Sequence, residues 1–349
     1  MAKFRKTSPQ RIPGLFDGFD DFSAEAGSDF RIIPDGKMEE IARRMAKEYR
    51  EEDVIDELPP MKVADKVFFM SFGSGSSGNC SYVGDREGGF LIDAGVEVAK
   101  VVDGLRRNGV SMERVKGICL THDHGDHIRD VYGLLRRYRH LRVYCTPKTL
   151  NGILRRHNVS RRIKDYHAPI YKEFPFRIGN FEITAFDVMH DGADNAGYFI
   201  THGDVRFAVA TDLGCISERV DYYMRRATHI VIEANYDLQM LREGRYPEYL
   251  KARIEAANGH LDNRVTAQFL ADIYTPRLRN VFLCHLSHDN NTPQKALGEV
   301  ATALAGIGVT RIGNGFDSMN EPGMPPSQLH LVALPRYDAS LLYPLDPLT

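Results

Sequence analysis

The chain has no apolar run approaching the ~20 residues a membrane span needs. Its basic start, Met1 to Gln10, leads into neither a hydrophobic core nor a cleavage site. Those absences predict a cytoplasmic chain without a membrane partner. It also lacks any Cys-x-x-Cys pair, because Cys80, Cys119, Cys145, Cys215 and Cys284 stand singly. An odd, scattered set inside runs such as Gly117-Ile118-Cys119-Leu120 reads as reduced core thiols and argues against a structural zinc ribbon. Charge of either sign is nearly balanced, at −2, so there is no global nucleic-acid signature and any such signal must be local. Internal repeats and low-complexity tracts are missing as well. What remains is ordinary for a soluble globular chain: 43% apolar and 26% charged residues over 349 positions, enough for one large domain with extensions or for two domains.

Three stretches differ in pattern. Residues 1–64 begin as a Gly-, Asp-, Ser- and Pro-rich arm, and Met38, Ile41, Ala42, Met45 and Tyr49 then recur at helical spacing. Pro59-Pro60 ends that amphipathic helix. Residues 65–310 hold short β-rich runs, from Val67–Ser71 through Asn280–His285, separated by helical patterns such as Val98–Asn108, Pro147–His157 and Asn263–Tyr274. The mixture predicts an α/β or α+β sandwich with sheets inside and helices outside. Residues 311–349 read as a final strand, Leu329–Leu334, and a C-terminal tail.

Chemistry concentrates in one run, His122-Asp123-His124-Gly125-Asp126-His127, which follows the apolar stretch Gly117–Thr121. Three imidazoles and a carboxylate crowded at a strand end have little packing value, whereas divalent ions prefer that donor set. His190, Asp212 and His285 each sit at the C-terminal end of another apolar run. A lone His after a strand is ordinarily a surface residue. Beside the first motif, all three read as converging on the same sheet edge.

The order HxHxDH, His, Asp, His is similar to the motif pattern of the metallo-β-lactamase superfamily. Phe72-Gly-Ser-Gly-Ser-Ser-Gly-Asn79, Leu91-Ile-Asp-Ala-Gly95, Glu233-Ala-Asn-Tyr236, Gly259-His-Leu261 and the run from His285 to Pro293 resemble the bacterial YycJ/WalJ group of DNA exonucleases. The resemblance spans about residues 67–295 and implies an αββα sandwich, here with an N-terminal helical extension. It implies two divalent metal ions, zinc, manganese or iron: His122, His124 and His190 on one, Asp126, His127 and His285 on the other, and Asp212 between them. The flavodiiron oxidoreductases of the superfamily carry Glu where this chain has His124, so hydrolysis is favoured over redox chemistry. In related RNA-processing nucleases an acidic residue after the bridging aspartate supports a later histidine near the leaving group. Asp212, Glu233, His260 and His285 follow that order here, with a short connection between Glu233 and His260 that implies an open cleft.

The surrounding residues admit two readings each. Ser74, Ser76, Ser77 and Asn79 lie in a glycine-rich loop suited to phosphate oxygens, although Gly/Ser runs are commonly plain turns. Asn290 and Asn291 either contact substrate or cap the helix begun by Thr292-Pro293. Asp93 reads as a support for a ligand. Between Arg106 and Lys164 basic residues far outnumber acids. That stretch is either a phosphate-binding surface or a set of solvated helix faces. Together these features predict a metal-dependent phosphodiesterase, a 5′–3′ DNA or RNA exonuclease using a two-metal-activated hydroxide. Asp126, Glu233 and His260 are its catalytic residues, and nucleic acid is its substrate. A lactonase or thioesterase on the same fold is the alternative, and nothing in the sequence speaks to oligomeric state.

Overall fold

In the strand Val205–Ala210, Phe207 and Val209 face one side of the sheet and Ala208 and Ala210 the other, and all four are buried. The strands His229–Glu233 and Asn280–Cys284 behave alike. Strands covered on both faces read as continuous apolar runs, which is why these segments lack a polar alternation.

The computed structural model describes residues 66–314 and 327–345. Contacts divide the chain into Met1–Pro60 and Met61–Thr349, and the amphipathic helix expected over Met38–Asp56 lies outside the described residues. The strands are β1 (Val67–Gly73), β2 (Cys80–Gly84), β3 (Gly89–Ile92), β4 (Val115–Cys119), β5 (Arg142–Cys145), β6 (His167–Pro169), β7 (Pro175–Ile178) and β8 (Phe181–Asp187). They continue as β9 (Ala196–His202), β10 (Val205–Ala210), β11 (His229–Glu233), β12 (Asn280–Cys284), β13 (Ile312–Gly313), β14 (Leu329–Ala333) and β15 (Tyr343–Leu345). They form a seven-stranded sheet, β15-β1-β2-β3-β4-β5-β6, and an eight-stranded sheet, β13-β14-β12-β11-β10-β9-β8-β7.

Three apolar layers make the sandwich. Between the sheets, Phe69 of β1 meets Phe207 at 5.1 Å and Phe282 at 4.8 Å between ring centroids. Outside the first sheet, Val101 and Leu105 of α1 (Val98–Arg107) join Leu134 and Ile153 over Leu91, Ile118 and Val143. Leu134 and Ile153 come from α3 (Val131–Arg137) and α4 (Pro147–Arg156), and the short α2 (Gly125–Ile128) precedes them. Outside the second sheet lie α5 (Glu218–Met224), α8 (Asn263–Ile273) and α9 (Pro293–Gly306). Thr146 and Thr292 cap α4 and α9, each followed by proline at the first helical position. This is the expected αββα arrangement.

Two strands beyond residue 327 join the two sheets. β14 pairs in parallel with β12, while β15 crosses to the other sheet and pairs antiparallel with β1. Two further helices, α6 (Leu238–Glu243) and α7 (Glu248–Glu255), fill the connection between Glu233 and His260. Because β8 and β10 are both antiparallel to β9, while β10, β11 and β12 are parallel, the C-terminal ends of β8, β10, β11 and β12 share one edge. No described helix is long and apolar enough to cross a membrane.

Candidate metal centre and cleft

The strand ends at that edge, and the end of β4 in the other sheet, deliver the polar side chains. β4 leads into His122, His124, Asp126 and His127, β8 into His190 and β10 into Asp212, while β11 ends in Glu233 and β12 is followed by His285. The structure brings all of them together. His122, His124 and His190 form one group whose candidate ligand atoms lie within 4.8 Å of one another. Asp126, His127 and His285 form a second such group, and Asp212 joins His122 and His127 in a third. Asp212 approaches His127 Nε2 at 3.2 Å and His190 Nε2 at 3.8 Å, which places it between the first two groups.

Hydrogen bonds behind the imidazoles decide which nitrogen faces inward. Thr121 Oγ1 donates to Asp93 and lies 3.0 Å from His122 Nδ1, so that nitrogen is the donor and His122 Nε2 is buried without a hydrogen-bond partner. His127 Nδ1 donates to Asp93 Oδ2 at 2.7 Å, His190 Nδ1 to the Gly259 carbonyl at 3.0 Å and His285 Nδ1 to Glu233 Oε1 at 2.8 Å. Nε2 of His122 and of His285 is thereby left without a hydrogen-bond partner, while His127 Nε2 faces Asp212 at 3.2 Å and the Asn79 amide nitrogen at 2.9 Å. A carboxylate or carbonyl behind a histidine is the usual support for a metal ligand. Asp93 and His285 are themselves left-handed, at φ 61° and 54°. That conformation costs non-glycine residues of order 1–3 kcal/mol and concentrates at functional sites.

Electrostatics agree with a cation-binding role. Burial pushes the His122 pKa well below its ordinary value, reinforced by His127. Burial acts the same way on His127 and His285, but their carboxylate neighbours outweigh it. Asp212, Asp93 and Asp126 carry His127 well above its ordinary value, and Asp212, Asp126 and Glu233 carry His285 to about 10. Burial opposes ionisation of Asp212, yet His285 and His127 hold it well below the usual carboxylate range. Buried nitrogen and oxygen donors that attract positive charge fit divalent metal ions by the chemistry of the set.

Beside this centre, Glu233 is fully buried and its Oε1 accepts from His260 Nδ1 at 2.8 Å as well as from His285. Its Oε2 accepts from the Leu213 amide at 2.8 Å. Burial opposes protonation of His260, but Glu233 outweighs it and raises the pKa. His260 stands 5.1 Å from the His190 ring and 5.2 Å from the His285 ring. It lines a cleft walled by Tyr246, Leu250, Arg253 and Ile254 from the α6–α7 segment and by Ser76 from the glycine-rich loop. The short connection therefore does build a wall.

The residues expected at substrate divide. Ser76 is exposed and also borders a second groove, which runs past Asp126 to Arg129 and His157. Ser77 is exposed, and its carbonyl accepts from Arg129. Ser74 is buried and accepts the His285 amide at 2.9 Å, so it shapes a ligand loop. Asn79 is buried and donates to the Gly75 carbonyl and to Asp126 Oδ2, both at 3.1 Å. Asn290 and Asn291 are buried too. The Asn291 amide is spent on Ala234, Asn235 and Asn263, which ties two loops together and leaves it no donor for a ligand. Of the basic stretch, Arg129 binds the Gly95 carbonyl and Arg156 reaches buried Asp123 at 3.3 Å, while Arg136, Arg137, Arg139 and Lys148 are exposed.

Sequence reasoning missed Thr121, Asp123, Asp191 and Asn235. Asp123 accepts the Ala193 amide at 2.7 Å and steadies the loop after His190, and Asn235 Nδ2 lies 3.2 Å from His285 Nδ1. Their only signal was adjacency to a motif. Gly95 also proves essential to the geometry, because a Cβ there would overlap the Asp126 carbonyl, which accepts the Asn79 amide at 2.8 Å. Gly95→Ala should cost about 1–3 kcal/mol by overpacking and lower metal content together with the melting temperature. A thermal melt paired with elemental analysis checks both.

The family model for the beta-lactamase superfamily domain matches residues 89–285, a span that carries every residue of this centre. The chain belongs to the metallo-β-lactamase superfamily. Within it, the chain is 34% identical over 269 residues to exodeoxyribonuclease YycJ of Bacillus anthracis, covering 74% of this chain and 97% of that one. It is 31% identical over 241 residues to exodeoxyribonuclease WalJ of Streptococcus pneumoniae, covering 68% and 89%. Among solved structures, the metallo-β-lactamase fold protein YhfI from Bacillus subtilis superposes with a TM-score of 0.56 at 14% identity, over 79% of this chain and 99% of that one. Zn(2+)-bound PqqB from Methylobacterium extorquens gives 0.54 at 15%, over 77% and 98%. These structural likenesses speak for the fold.

Proposed function

We propose that this chain is a two-metal exonuclease that cleaves phosphodiester bonds in DNA, working 5′ to 3′. One observation carries the reading: the Glu233–His260 pair, joined at 2.8 Å, stands in a cleft beside two convergent groups of imidazole and carboxylate donors. His122, His124 and His190 would hold one ion, Asp126, His127 and His285 the other, and Asp212 would serve both. Zinc, manganese and iron all suit such donors. Bound there, the ions supply Lewis acidity toward phosphoryl oxygens and acidify water near neutral pH.

The chain's own groups do the rest. Glu233 takes the Nδ1 proton of His260 in a hydrogen bond, which leaves Nε2 as the proton donor for a departing sugar oxygen. Asp126 stays ionised: burial raises its pKa, but His127 and His285 outweigh that, so it can accept a proton from attacking water. Ser76 lies where the two grooves meet and is placed for a phosphate oxygen. The exposed basic residues beyond Asp126 suit the trailing backbone through salt-sensitive contacts.

Carbonyl hydrolysis on this fold has no evident need for the Glu233–His260 pair, and the relatives' names favour DNA. The test is incubation of metal-loaded protein with 5′-phosphorylated and unphosphorylated DNA and RNA beside lactone and thioester panels. Mononucleotides should leave DNA from the 5′ end. Turnover of the esters alone would sink the reading.

A further inference from the structure

Arg336 follows β14 and lies along the glycine-rich loop. Its carbonyl accepts the Ser74 amide at 3.2 Å, and Ser340 exchanges two hydrogen bonds with Ser71. The guanidinium passes against Gly75, where a Cβ would stand 3.1 Å from Nη1. That Nη1 is buried and has no hydrogen-bond partner among the described residues. Arg129 reaches the same turn from its other end, since a Cβ on Gly78 would stand 3.0 Å from its Nη2. Nη2 and Nε of Arg129 are engaged by the Ser77 and Gly95 carbonyls, which leaves Nη1 unengaged.

Between the two arginines the turn is closed from within. Gly78 donates to the Gly75 carbonyl at 2.9 Å and Gly75 to Asn79 Oδ1 at 2.8 Å. The amides of Ser76 and Ser77, both exposed residues, find no acceptor among the described residues. Lys100 of α1 borders the same cavity, and its Nζ reaches only the Tyr337 carbonyl, at 3.4 Å. Glu97 and Asp130 line it too, but no described carboxylate forms an ion pair with Lys100, Arg129 or Arg336. Asp289, which acts on Arg336 through space, is engaged by Tyr246 at 2.8 Å and His288 at 2.9 Å. A guanidinium nitrogen kept from water without an acceptor, a second guanidinium and two free amides thus surround one turn. Phosphate oxygens suit that donor set.

Arg129 also borders the groove that runs from Asp126, whereas His260 stands in the cleft on the other side of Ser76. The departing nucleotide then occupies the His260 cleft, and the strand that retains the cleaved phosphate leaves along the Arg129 side. We infer that Arg336, Arg129 and the Ser76–Ser77 amides bind the backbone phosphodiester next to the scissile one, on the retained strand. This inference rests on the exonuclease reading above.

Metal-loaded full chain and three single-stranded DNA substrates test it. They are an oligonucleotide, the same oligonucleotide with a neutral methylphosphonate at the second linkage from the 5′ end, and a dinucleotide with the scissile linkage alone. The methylphosphonate should raise the wild-type KM about 10–100-fold, the loss expected when hydrogen bonds to a charged group go unmade. Arg336→Gln should raise KM for the native oligonucleotide similarly and lower its salt slope by about 1. The preference for oligonucleotide over dinucleotide should shrink with it. Arg336→Lys should recover part of the loss. Both changes act on one contact, so the methylphosphonate should cost Arg336→Gln much less than it costs wild type. A wild-type KM indifferent to the methylphosphonate overturns the inference, even where Arg336→Gln fails to fold. So does a variant in which the two losses multiply. Either result leaves the exonuclease reading standing, whereas wild-type protein that cleaves none of the DNA substrates overturns both.

Discussion

His260→Ala should slow DNA cleavage about 10²–10⁴-fold while bound metal stays at the wild-type level. The first part follows from position: His260 lines the cleft beside both donor groups, with Nδ1 engaged by Glu233. The second follows because His285 is held by Glu233 independently, through its own 2.8 Å contact. The pH profile sharpens the test. Glu233 raises the His260 pKa against the effect of burial, so the protonated form persists above the ordinary value of about 6.5. A proton donor with a raised pKa is fully competent below it and is lost as pH rises through it. Wild-type activity should accordingly hold through neutrality and fall on the alkaline side, and that limb should disappear in His260→Ala. Steady-state rates against pH, with metal content measured on the same samples, check both parts. Loss of metal in this variant would reassign His260 to the metal centre.

Asp212→Ala should have the larger effect, removing at least one ion and lowering cleavage about 10³-fold or more. That factor corresponds to the several kcal/mol of charge stabilisation a bound metal supplies. Asp212 is buried among His127, His190 and His285 and is the carboxylate between the two groups. Its removal should also be visible without metal. Asp212 is the leading contributor to the raised pKa of His285, against burial, so that pKa should drop from about 10 towards the ordinary histidine range. Histidine NMR titration of the chelated variant reads the shift, and elemental analysis reads the stoichiometry. A variant that keeps both ions would show that Asp212 is a support for His127 and His285 rather than a shared ligand.

The features legible in the sequence were those in which local pattern and chemistry coincide. The runs ending at Thr121, Thr211 and Cys284 are largely apolar on both faces and the run ending at Val188 alternates, so they announced strands, and the polar residues just beyond them announced the site edge. What stayed hidden depends on long-range pairing. β15 joins β1 in the seven-stranded sheet from the far end of the sequence, and nothing within Tyr343–Leu345 encodes that register. Asp191 and Asp123 look alike in sequence, each a single acid beside a histidine. The fold turns one towards His124 and Arg253 and the other towards Ala193 and Arg156. Asn79 and Asn291 depend on the fold in the converse way. Their residue types suit phosphate contact, but burial commits their amides to neighbouring loops.

The central claim is tested most directly by metal reconstitution. Chelator-stripped protein should bind two divalent ions per chain, and release of mononucleotides from DNA ends should appear in proportion to the second ion bound. Equal nuclease activity in the stripped protein, or saturation of the metal sites with no cleavage of DNA, would contradict the account.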